Sequence, residues 1–163
     1  MLRSVARLGA LKKPTALALG VTSSGALAST ARCHCQVPCG IFDGPARVAA
    51  LKEDAATIRK AMAQITDLVS TSAPASALSF NQAARWVMTK EQHAASIITA
   101  VSEYMLCQRV KKEVFNSEDE YVQAVVAHHA LLQAAMKAKQ VVDHVACDAL
   151  DHAIEDVAKM YTK

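Results

Sequence analysis

Between Pro45 and Ser70 the apolar side chains fall at Val48, Leu51, Ala55, Ile58, Met62, Ile65 and Val69, always three or four positions apart. An α-helix returns to the same face at that interval and a strand does not. The segment opens on Asp43-Gly44-Pro45, where Asp can accept from free N–H groups and Pro suits the first turn. It closes in the Ser/Thr/Pro run Ser70 to Pro74.

The same reading extends along the chain. A second helix is expected to start at Ser76 or Ser79 and run to about Phe115, its stripe including Trp86, Met88, Ile97, Val101, Tyr104 and Val110. Ser117-Glu118-Asp119-Glu120 has the form of a capping box, the Ser117 hydroxyl accepting from Glu120 N–H and the Glu120 carboxylate reaching back. The third helix carries Val122, Val125, Val126, Leu131, Leu132 and Met136. No Gly or Pro marks its end. A break at Lys139 to Val142, with Asp143 capping a last helix to about Tyr161, completes the set. Four helices with short connections predict an all-α fold, an antiparallel four-helix bundle. Apolar residues at 52% with aromatics at only 4% agree, because Ala-rich, aromatic-poor sequence favours helix over sheet. Cys107 and Cys147 fall inside helical patterns and are expected to be buried, inert thiols; the methionines are expected to fill core.

The formal charge of +3 is unevenly placed. Arg3, Arg7, Lys12, Lys13 and Arg32 all precede His34, and no acidic residue precedes Asp43. Without those five of 18 cations, 13 basic residues face 15 acidic ones, a net of −2. The basic balance therefore gives no case for nucleic acid. No apolar run is long enough to span a bilayer, so no membrane partner is expected. Residues 1–33 read as a cleaved targeting leader: basic and apolar residues interleaved, Ser and Thr present, acids absent. Ala26-Leu27-Ala28 resembles a secretory cleavage site that would leave Ser29 first, whereas Arg32 stands two residues before the Cys33–His34 bond, a mark of mitochondrial processing. The mitochondrion is the expected destination, with the plastid as alternative and a processing protease as partner.

Residues 34–43 read HCQVPCGIFD. Two thiols separated by three residues, beside an imidazole, are metal-ligand types at metal-ligand spacing. If the chain begins at His34, its free amine and the Cys35 amide nitrogen close a five-membered chelate ring. The Cys35 amide and thiolate close a second, and the Cys39 thiolate supplies a fourth donor. Two nitrogens and two sulfurs in a plane suit Ni(II), and the His34 ring can reach an axial site. Thiolates and a deprotonated amide stabilise the higher oxidation state. Pro38 restricts the loop and Gly40 permits a sharp turn. A Zn or Cu(I) thiolate site is the chemical alternative, although two thiolates and one imidazole leave a structural Zn one ligand short.

The stretch resembles the metal-binding hook of nickel superoxide dismutases, H-C-x-x-P-C-G-x-aromatic-D, with Phe42 where the family usually has Tyr. The resemblance implies one nickel ion per chain, held by His34 (amine and axial imidazole), Cys35 (amide and thiolate) and Cys39 (thiolate). It implies dismutation of two superoxide anions and two protons to dioxygen and hydrogen peroxide, with His34, Cys35 and Cys39 as the catalytic set. It also implies a homohexamer and residues 34–163 as one domain, hook 34–43 plus bundle. Ser102-Glu103-Tyr104 matches a Ser-acid-Tyr of the family whose Tyr lines the access path. Lys90-Glu91-Gln92 is followed by His93 where the family often has an Arg that supports the axial His, and a Glu near the start of the first helix falls at Ala49. Lys90 and Arg85 are the candidates for drawing in an anion. The rival is a helical-bundle protein whose thiols sequester a soft metal without turnover. His144, Asp148 and His152 recur every four residues beside Asp151 and Glu155, but without the Glu-x-x-His of a di-iron bundle they read as a solvated face. Of His128-His129, one or both are expected to be exposed.

Overall fold

The computed structural model describes residues 44–70 and 76–162, which contain four α-helices and no strand. Helix α1 (Gly44–Ser70) buries Val48, Leu51, Ala55, Ile58, Met62 and Ile65, the stripe its spacing requires. Helix α2 (Ala77–Thr99) starts in a reciprocal cap: Ser79 N–H donates to Ser76 Oγ and Ser76 N–H to Ser79 Oγ, both at 3.0 Å. Helix α3 (Glu118–Gln140) is capped by Ser117, which accepts from Glu120 N–H at 3.2 Å. The Glu120 carboxylate reaches back one residue further than expected, to the N–H of Asn116 at 3.0 Å. Helix α4 (His144–Ala158) is capped by Asp143, which accepts from Val145 N–H at 3.0 Å.

Past Thr99 the chain neither stops nor continues as α-helix. Ala100–Arg109 winds in wider π-type turns, closed by Val110 N–H donating to the Met105 carbonyl five residues back. A 3-10 turn, Lys112–Val114, leads to α3. The expected α-helix to Phe115 is thus divided. A wider turn takes more residues, so the three-residue step from Val101 to Tyr104 does not carry on to Cys107. Tyr104 and Met105 point into the core, as does Val110 five positions on, while Cys107 is rotated out to solvent. Cys147 is buried as expected, its Sγ 3.3 Å from Met62 Sδ.

Each helix packs on its sequence neighbours, and α4 returns to α1. Lys52 on α1 pairs with Glu155 on α4, whereas Arg59 pairs with Asp148 and Asp151, each at 2.7 Å. Moving up one helix moves down the other, so the pair is antiparallel. The shared core joins Leu51, Ile58 and Met62 to Ile97, Met105, Leu131, Leu150 and Ile154. On α3 the residues facing it are Ala124, His128, Leu131, Ala135 and Ala138. Val122, Val126 and Met136, expected in the stripe, face solvent. The third helix approaches through alanines, which let backbones come close.

Lys90 is level with the last turn of α3, and Met62 with the first turn of α4. Residues 63–70 of α1 and 77–89 of α2 therefore extend past both partners as a two-helix arm. Val69, Leu78, Phe80, Val87 and Met88 are exposed there for want of a third helix, which is why Met88 is not core and Trp86 is only half-buried. No helix among the described residues is long and apolar enough to cross a membrane.

Candidate metal centre

His34, Cys35, Cys39 and Phe42 lie outside the described residues. What the bundle offers them is set by covalent geometry. Asp43 is bonded to Gly44, and Cys39 stands five residues before Gly44, so its Cα is tethered within about 18 Å of the start of α1.

Tyr104 is buried at that end of the bundle. The Arg47 guanidinium, on the first turn of α1, lies 4.8 Å from its ring centroid, and that of Arg109 lies 5.9 Å away. Both are within the range at which a cation feels an aromatic quadrupole. Arg109 also borders a groove of about 380 Å³ shared with Lys111, Phe115 and Tyr161. Tyr161 closes the cluster from the turn after α4, its hydroxyl 2.9 Å from His128 Nε2. His128 is fully buried and its Nδ1 lies 2.7 Å from the Ala124 carbonyl. A carbonyl only accepts, so Nδ1 carries the proton and Nε2 accepts from Tyr161. Burial holds the imidazole below its ordinary value and pushes the Tyr161 phenol up to about 12, so both partners stay neutral.

His93 is half-buried and its Nδ1 meets Asp54 Oδ1 at 2.6 Å across the α1–α2 contact. Ala49, where a family Glu was sought, is exposed, and the carboxylate that faces α2 comes five residues later. His93, at the position where the resemblance implies an Arg, is thus paired with a carboxylate of α1. His93 lies on α2 and Tyr104 on the wider-turned segment that follows it, about 15 Å further along the chain's course, so the two are not neighbours. Lys90, read as an anion attractor, is 3% exposed. Its ammonium donates to the carbonyls of Ala138, at 3.3 Å, and Lys139, where a cation meets the negative end of α3. Arg85 lies on the arm, in a groove with Gln64 and Trp86.

Among the described residues, no group of three or more His, Cys, Asp or Glu side chains is placed to hold a metal. His144, Asp148 and His152 are exposed, and Arg59 spans Asp148 and Asp151. Sequence reasoning missed Arg47, Asp54, Arg109, His128 and Tyr161. Two were readable: His128 continues the register of Ala124, Leu131 and Ala135, and Tyr161 that of Ile154, Val157 and Ala158.

A sequence model of nickel-containing superoxide dismutases matches residues 29–163. The chain belongs to the nickel-containing superoxide dismutase family. No curated protein and no solved structure matches it. As a nickel-containing superoxide dismutase it is an oxidoreductase that acts on superoxide, and nickel is its cofactor. The donor types in its His-Cys-x-x-x-Cys fit that metal: soft thiolates for the higher oxidation state and imidazole for an added ligand.

Proposed function

We propose that this nickel superoxide dismutase works at His34, Cys35 and Cys39, and that removal of residues 1–33 creates the site. The stretch HCQVPCGIFD inside a family match that begins at residue 29 carries the reading. Held there, nickel would supply one-electron chemistry between its +2 and +3 states, by which one superoxide would be oxidised and a second reduced. The chain's part is to supply donors. The His34 amine exists only if the peptide bond before it is cut. The thiolates of Cys35 and Cys39 bring the couple into the range of superoxide, and the His34 imidazole serves the higher state. Phe42 has no hydroxyl to hold water or an anion, which leaves Tyr104 as the phenol on the approach. The Asp54–His93 pair takes the place of the family's axial support.

The acid-free, basic leader supports import into the mitochondrion, with the plastid as alternative. Assembly as a homohexamer comes from the resemblance. It is supported by the arm, where Phe80 is 76% exposed beside Leu78, Val87 and Met88, since patches of this kind mark protein contacts.

Intact mass of the protein from its own cell tests the site. A denatured mass equal to residues 34–163, and a native mass with one nickel per chain, is the expected result. A terminus at Ser29, or anywhere before His34, would sink the amine ligand and favour a thiol site without turnover. A Ni(III) signal with axial nitrogen coupling separates the two chemistries.

A further inference from the structure

Gly44 is the first residue of α1 and the next after Asp43, where the proposed metal-binding segment ends. It is buried under the C-terminus. A Cβ built on it would lie 2.6 Å from Tyr161 Cβ, 2.8 Å from Tyr161 Cδ1 and 2.8 Å from the Tyr161 carbonyl oxygen. No side chain fits there, and the backbone oxygen cannot yield as a flexible side-chain end could. Tyr161 is itself held. Its N–H donates to the Ala158 carbonyl at 2.9 Å, and Met160 N–H to Val157 at 3.0 Å, so the turn after α4 is tied to the helix. Its ring meets His128 edge-on, centroids 5.8 Å apart and planes at 77°. Its hydroxyl donates to His128 Nε2, and His128 Nδ1–H donates to Ala124 in α3. An unbroken line of contacts thus runs from the body of α3, through His128 and the end of α4, to the first residue of α1.

We propose that Tyr161, locked by its hydroxyl on His128, is a positioning residue that fixes the root of the metal-binding segment against the bundle. The proposal rests on the reading that residues 34–39 hold nickel. A segment of ten residues has few ways to be aimed, and the point where it joins a rigid element is one of them. Small displacements at such a support change ligand geometry, so a support of this kind is felt at the metal without touching it. Tyr161 does not contact Gly44 through its hydroxyl. The hydroxyl orients the ring, and the ring and its backbone close over Gly44.

Tyr161→Phe keeps the ring and removes the hydrogen bond; Gly44→Ala leaves Tyr161 intact and forces it away. Hydrogen exchange on the metal-free full chain is the first readout. Amides of residues 48–51, the second turn of α1, are expected to exchange at least about threefold faster in both variants. Those of α2 and the middle of α3 are expected to be unchanged. In the nickel-loaded protein, both variants are expected to lose metal to a chelator several-fold faster and to show a broadened Ni(III) signal. Unchanged exchange at residues 48–51 would overturn the proposal. So would faster exchange spread evenly over all four helices, which would make Tyr161 a general stabiliser. If the unaltered protein, trimmed so that His34 is first, takes up no nickel, the reading of residues 34–39 fails instead, and the exchange result still decides whether Tyr161 clamps the root.

Discussion

His128 shows how far a single residue can be read from sequence. Its register with Ala124, Leu131 and Ala135 puts it inside, yet a histidine beside another histidine invites a surface reading. What decides is the pair of partners, the Ala124 carbonyl and the Tyr161 hydroxyl, and the second comes from 33 residues away. Lys90 was misread for the same reason: its acceptors are backbone carbonyls of another helix, which no side-chain pattern announces. Burial of His128 has a consequence for pH. The imidazole's value in the folded protein lies below its ordinary 6.5. Below pH 6.5 the unfolded chain therefore takes up a proton that the buried ring refuses, and stability falls as pH falls through that window; above it the contribution is constant. The groups facing the ring are neutral Tyr161 and the Ala124 carbonyl, with Arg109 acting on Tyr161 from the far side. Thermal melts from pH 7.5 to 5 are expected to show a steeper loss of melting temperature in the unaltered protein than in His128→Gln. Equal slopes would mean that the ring takes its proton freely in the fold.

At the scale of elements, the legible features were local ones. Ser76, Ser117 and Asp143 were each readable as helix starts, because an N-cap needs only its own side chain and the N–H two or three residues on. The α3–α4 break was found the same way, from Asp143 alone, with no Gly or Pro to help. Asp143→Ala removes the acceptor for Val145 N–H at 3.0 Å and is expected to cost about 1 kcal/mol. For a bundle of this size that is a fall of roughly 3 to 6 °C in melting temperature by calorimetry. A fall under a degree would show that water serves the freed N–H as well as the carboxylate does. Two features were not legible. Ala100–Arg109 has an ordinary helical composition, and only its hydrogen bonds, five residues apart, reveal the wider turn. Of the large residues expected on the core face of α3, Leu131 is fully buried, but most of that face is Ala124, Ala135 and Ala138, while the larger Val122 and Val126 face outward. Choosing a stripe by side-chain size misses alanines where helices approach closely. The proposed hook is the part of the candidate site that sequence can offer, because its donor types stand in ten consecutive residues. The cluster of Arg47, Tyr104, Arg109 and Tyr161 was not legible, because it is brought together from three parts of the chain.

For the whole molecule, the question is how an anion is received. Residues 34–163 sum to a net charge of −2 without the five cations that precede them, so any attraction from this part must be local. The screening length in physiological salt is about 8 Å, which limits useful cations to those beside the approach. Lys90 is buried on carbonyls and turned away from solvent. Arg85 is 24 residues from Arg109 in sequence, about 35 Å along the helix, and several screening lengths away. Arg109 meets the conditions. It is exposed, its guanidinium lies 5.9 Å from the Tyr104 ring, and among the described residues no carboxylate forms an ion pair with it. Lys111 lines the same groove, and Arg47 joins Tyr104 to the first turn of α1, next to the proposed metal-binding segment. Arg109→Gln is therefore expected to lower kcat/KM for superoxide several-fold at low salt, with nickel content and Ni(III) spectrum unchanged. Its rate is also expected to fall less with rising ionic strength, since the attraction that salt would screen is already gone. Arg85→Gln is the matched control and is expected to leave both the rate and its salt dependence alone. Pulse radiolysis from about 10 to 200 mM salt reads all three proteins. If Arg109→Gln retains the full salt dependence, Arg109 is not the cation that draws the anion in; if Arg85→Gln loses it, the anion enters from the arm side of the molecule and not past Tyr104.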